Sequence, residues 1–153
     1  MAVETPAHAG TDSETFAPAA RWEVARVVLA AVYLLGGVAH LVLAASSMEL
    51  YESFADQALV GVYTDLWRDA VVPHLAILVP LVGLFELAVG AALLWRGRVV
   101  RLGHAGGAVF QTGLVLSGPW GPVNALLAFV HGFAFGRAYP RSALARLRTW
   151  RRG

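Results

Sequence analysis

The sequence of 153 residues contains no cysteine. This absence excludes disulfide exchange, thiolate nucleophiles, and metal or iron–sulfur sites that are held by cysteine. Any redox role of the protein would therefore require a bound cofactor.

Charged residues are also scarce. They make up 14% of the chain, against 58% hydrophobic residues, whereas an ordinary soluble domain has about one quarter charged and about one half apolar residues. Since about 20 apolar residues cross a bilayer, the sequence predicts an all-α integral membrane four-helix bundle over residues 21–138. Its predicted spans lie at about 25–45, 72–95, 99–117 and 120–138.

Basic residues are nearly absent from the segment between the first two predicted spans, residues 46–71. Of the twelve arginines only Arg68 lies there, and the others flank the remaining span ends. By the positive-inside rule we expect a multi-pass plasma-membrane protein with both termini in the cytoplasm and residues 46–71 outside. The arginines that make the isoelectric point high then serve to orient the helices in the membrane and to contact its lipids. Nucleic acid is not an expected partner.

The segments outside the predicted spans differ in character. Residues 1–20 are polar and contain two prolines, which predicts a disordered cytoplasmic leader. Residues 46–71 carry apolar side chains at helical spacing with acids on the other face, which predicts an amphipathic outer helix with a break near Gly61. Residues 139–153 form a basic cytoplasmic tail, for which we expect a helix lying on anionic lipid.

The few polar residues within the spans share one face of each helix. Residues seven apart lie on the same face of a helix. This spacing links three pairs, Tyr33 with His40, His104 with Gln111, and Asn124 with His131. The second span contributes a single acid, Glu86. Polar groups that face lipid go without partners, so we expect these faces inside the bundle. Counting residues from the cytoplasmic ends predicts that Glu86 lies nearest to Tyr33, His104 and His131, with His40 farther out.

Three interpretations of these polar residues remain open at this stage. In the first, they hydrogen-bond between helices in a structural or assembly subunit, whose partners would be a second copy or another membrane subunit. In the second, Glu86, Tyr33, His40, His104, Gln111, Asn124 and His131 line a pocket for a small amphipathic ligand such as a quinone. In the third, the protein carries b-type haem with His104 and His131 as axial ligands, with His40 and His74 as a second candidate pair.

Three stretches of the chain resemble the DoxX-like family of small membrane proteins with four transmembrane helices. They are GGVAHLVLA at the end of the first span, YESFADQALVGVYTDLW in the outer segment, and FELAVGAALLWRGRVVRLG from the second span into the third. The resemblance covers roughly residues 25–136 and implies an accessory or redox-linked membrane subunit, since relatives include a subunit of a thiosulfate:quinone oxidoreductase. It supplies no catalytic residues, and the absence of cysteine argues against a direct thiol role.

Overall fold

The computed structural model describes residues 20–150, and every regular element in that range is helical. The predicted leader lies outside the described residues apart from Ala20. The α-helices are α1 (Ala20–Ser46), α2 (Glu49–Glu52), α3 (Gly61–Leu66), α4 (Leu75–Leu94), α5 (Arg98–Gly113), α6 (Gly121–Phe135) and α7 (Ala143–Trp150). In the predicted outer segment, residues 46–71, α2 is followed by a 3₁₀ turn at Ser53–Gln57 and α3 by a π-helical turn at Trp67–Val71, and a 3₁₀ turn at Val72–His74 leads into α4. The prediction of an all-α protein is therefore confirmed.

Two helical stretches are long and apolar enough to cross a membrane, Ala20–Ser46 and Gly61–Leu94. α5 and α6 have 16 and 15 residues, which at about 1.5 Å per residue gives roughly 24 and 22 Å, less than the roughly 30 Å of a bilayer core. They are shorter than predicted because residues 114–120 form a turn that includes Pro119 and a glycine, Gly118, with a φ of 146°. The spans predicted at 99–117 and 120–138 are thus helical only in part.

α1 packs along α4, α4 contacts α5, and α5 packs along α6. The closest approach is between α1 and α4, where the backbones meet at Gly37 and Gly83. A Cβ atom on Gly37 would lie 2.7 Å from the carbonyl oxygen of Gly83. The three-residue link from Trp95 to Gly97 lets α5 pack back against α4, as its length predicts.

The two ends of the bundle differ in composition. At one end the guanidinium of Arg26 donates to the carbonyl oxygens of Trp95 and Arg141, so that the start of α1, the end of α4 and the tail lie together. At the other end the backbone N–H of Leu59 donates to the carbonyl oxygen of Leu116, which joins the outer segment to the turn between α5 and α6. The arginine-rich segments and the acidic segment consequently lie at opposite ends.

Apolar side chains cover much of the surface, and several polar side chains are buried. Leu35, Leu102 and Val109 are 72%, 70% and 75% exposed. Among the described residues the buried polar ones are Glu23, Arg26, Glu86, His104, Gln111 and His131. Charged residues are seldom buried unless they are paired, so these six mark the polar part of an otherwise apolar interior.

Candidate functional site

A cavity of about 410 Å³ lies between α1, α4, α5, the start of α6 and the outer segment. Its walls are mainly apolar and aromatic, with polar side chains from α1, α4, α5 and α6. The lining residues that bear on function are His40, Tyr51, Phe54, Trp67, Leu78, Glu86, Gln111 and Asn124. Its volume falls within the range of about 300–1,000 Å³ that is usual for small-molecule sites.

Aromatic residues of the outer segment form one wall of the cavity. The ring of Phe54 contacts the rings of both Tyr51 and Trp67, with centroid distances of 5.6 and 6.0 Å. The indole N–H of Trp67 donates to the carbonyl oxygen of Tyr51 at 2.7 Å, which ties the two halves of the segment together. The outer segment is therefore part of the site, a role that the sequence does not predict for Tyr51 and Trp67.

Glu86 lies beside His40 on one wall of the cavity. Its Oε2 atom is 3.7 Å from Nε2 of His40, which is too long for a hydrogen bond, and Oε2 is buried without a hydrogen-bond partner. The carboxyl group packs against Gly36, where a Cβ atom would lie 2.6 Å from Oε2. Only glycine at position 36 leaves Glu86 in this position.

His40 connects Glu86 to the outer segment. Its Nδ1 atom is 2.6 Å from the hydroxyl of Tyr51. Burial, and to a smaller extent the charge of Glu86, raises the pKa of Tyr51, so the phenol keeps its proton and can donate it to Nδ1. In this tautomer His40 carries its own proton on Nε2, which faces Glu86.

Two amides complete the polar part of the wall. Gln111 donates from Nε2 to the hydroxyl of Tyr33 at 3.1 Å, and its Oε1 is buried without a partner. Asn124 donates from Nδ2 to the carbonyl oxygen of Leu114 at 2.9 Å. An unmade hydrogen bond of this kind costs about 1–3 kcal/mol, so the unpaired oxygens of Gln111 and Glu86 call for an explanation.

The two inner histidines form a separate pair. His104 and His131 are fully buried, their Nδ1 atoms are 3.1 Å apart, and neither lines the cavity. Tyr33 contacts the ring of His131 edge-on, with 5.4 Å between ring centroids. The prediction that Glu86 lies nearest to Tyr33, His104 and His131 is wrong in this respect, because His40 is the histidine beside Glu86.

The histidine geometry does not fit haem. Axial imidazole nitrogens would each lie about 2 Å from the iron, on opposite faces of the macrocycle. The rings of His104 and His131 touch directly, with centroids 5.2 Å apart, which leaves no space for a porphyrin between them. His40 bonds to Tyr51, and exposed His74 donates to the carbonyl oxygen of Ala70, so this second pair does not meet either.

Within residues 20–150, no group of three or more His, Asp or Glu side chains is placed to hold a metal ion. The cavity can thus offer hydrogen bonds, an acid and apolar contact to a ligand.

No protein-family model, no curated protein and no solved structure matches this chain.

Proposed function

We propose that this chain is an integral membrane protein of the DoxX-like type, an accessory or redox-linked subunit whose cavity binds a small amphipathic molecule such as a quinone. The observation that carries the binding role is the cavity itself. It combines apolar and aromatic walls with buried, unpartnered oxygens on Glu86 and Gln111, which is the usual composition of a small-molecule site.

The membrane location is supported by the exposed apolar surface. Phe129 and Phe133 on α6 are 66% and 61% exposed, and Leu102 and Val109 on α5 are 70% and 75% exposed. In water such continuous apolar surface would cause aggregation. In the proposed arrangement all four long helices lie in the bilayer, and local thinning accommodates the shorter α5 and α6. The arginine-rich end faces the cytoplasm and the acidic outer segment lies outside.

We expect the protein, purified from membranes, to retain an amphipathic molecule that organic extraction and mass spectrometry detect. The variant Leu78→Trp should lose most of it, because Leu78 lines the cavity and an indole would occupy part of the volume. Leu81→Trp on the same helix is the matched control, since Leu81 is 53% exposed and its replacement leaves the cavity open. Retention of the same molecules by both variants would rule out this cavity as the binding site.

A further inference from the structure

We propose that the cavity selects ligands whose polar head donates hydrogen bonds, a hydroxyl or a protonated amine, over ligands whose head only accepts them, such as a carbonyl or an ether. The proposal rests on the function proposed above and specifies its ligand. For a quinone-type ligand, it means that the reduced, dihydroxy form binds in preference to the dicarbonyl form.

Most donors of the cavity wall are engaged within the protein. Apart from exposed Trp120, the side chains that carry N–H or O–H groups donate to protein atoms or face Glu86. Three of them donate to a protein oxygen at 2.7–3.1 Å, Trp67, Gln111 and Asn124, and the hydroxyl of Tyr51 shares a hydrogen bond with His40 at 2.6 Å. Ser117 likewise donates to the carbonyl oxygen of Leu114 at 2.7 Å. A ligand that only accepts is therefore left with the second N–H of each amide, with His40 and with exposed Trp120.

Two buried acceptors of the cavity wall have no donor. Oε1 of Gln111 and Oε2 of Glu86 lack hydrogen-bond partners, and both side chains line the cavity. The carbonyl of Gln111 accepts whatever the pH, and the carboxylate of Glu86 accepts when ionised. A donating head group supplies the hydrogen bonds that these oxygens lack.

The orientation of the Gln111 amide follows from its neighbours. Tyr33 has a single hydroxyl proton, which it directs to the carbonyl oxygen of Gly107 at 3.4 Å. The tyrosine oxygen must then accept from Gln111, so the amide presents Nε2 to Tyr33 and keeps Oε1 free. In this network Oε1 of Gln111 has no donor among the described residues.

The charges around the cavity are compatible with a cationic head as well as a hydroxyl. Among the described residues that line the cavity there is no arginine. The outer segment carries five acids, Glu49, Glu52, Asp56, Asp65 and Asp69, against Arg68. Negative charge at this end raises the local concentration of cations, and aromatic walls also attract them.

The test compares probes that share an octyl chain and differ in the head group. Full-length protein in nanodiscs is incubated with para-octylphenol, with its methyl ether para-octylanisole, or with n-octylamine, and bound probe is measured against empty nanodiscs. We expect the phenol to bind about tenfold more tightly than the ether, the difference that one hydrogen bond makes. The Gln111→Leu variant should reduce that ratio towards one while still binding the ether, and Leu81→Ala, which changes an exposed side chain of α4, should leave the ratio unchanged.

The Glu86→Gln variant distinguishes the two donor heads, because it removes the charge and keeps an acceptor. Loss of octylamine binding with retention of the phenol supports both the donor preference and a role of the carboxylate in binding cations. Equal affinity for phenol and ether in the wild-type protein would overturn the donor preference and leave the proposed function intact. Failure of all three probes to bind above empty nanodiscs would overturn the proposed function and the inference with it.

Discussion

The Arg26→Leu variant is expected to lose about 3–5 kcal/mol of unfolding free energy, the usual effect of removing one partner from a buried ion pair. Arg26 is completely buried, and its NH2 atom lies 2.5 Å from Oε2 of Glu23. Its NH1 atom donates to the carbonyl oxygen of Trp95, and the guanidinium lies 4.9 Å from the ring centre of Tyr139. Leucine replaces none of these contacts and leaves the buried carboxylate of Glu23 without its partner.

The measurement is unfolding of the purified protein in mixed micelles with increasing denaturing detergent, followed by circular dichroism. Arg98→Leu is the control, since Arg98 is exposed at the same end of the bundle and its replacement should change the unfolding free energy by less than about 0.5 kcal/mol. The double variant Glu23→Leu with Arg26→Leu should recover much of the loss, because it leaves no buried charge. Equal stability of the Arg26 and Arg98 variants would show that the ion pair does not hold this end together.

The long apolar runs made most of the helical fold predictable from sequence. α1 and α4 lie where the spans at 25–45 and 72–95 were predicted, and the outer segment is interrupted just before Gly61. The end of α5 was harder to predict, because the apolar run continues from Leu114 to Leu116 while the backbone already turns there. Hydropathy records how apolar a segment is, whereas the turn depends on proline and glycine geometry.

The sequence predicted which helix faces carry polar residues but not how those residues group. His40, Gln111 and Asn124, from the seven-residue pairs, line one cavity together with Glu86, and their role in binding stays a prediction. The spacing could not show that His104 and His131 pair apart from it, because periodicity fixes the face of a helix and leaves its tilt and depth open. Tyr51 and Trp67 were missed for a different reason: the outer segment folds back over the bundle through tertiary contacts.

The Gly37→Ala variant is expected to lower the unfolding free energy by about 2–3 kcal/mol, the range of overpacking a well-packed core. The added methyl group would lie 2.7 Å from the carbonyl oxygen of Gly83 and 2.8 Å from Cγ of Leu87. A side chain can rotate away from such a contact, but the backbone oxygen of Gly83 cannot move unless α4 moves. α1 and α4 must therefore separate along their interface, which is the most extensive one in the described bundle.

Gly132→Ala provides the matched control in the same unfolding measurement. A Cβ atom on Gly132 meets nothing within 4 Å, so this change should be neutral or stabilise α6 by up to about 1 kcal/mol through its helix propensity. Because the chemical change is the same at both positions, the difference between the two variants reports the α1–α4 contact alone. If Gly37→Ala were as stable as Gly132→Ala, the two backbones could not approach as closely as Gly37 and Gly83 do here. The distance between Gly36, the neighbour of Gly37, and the carboxyl group of Glu86 would then have to be larger as well.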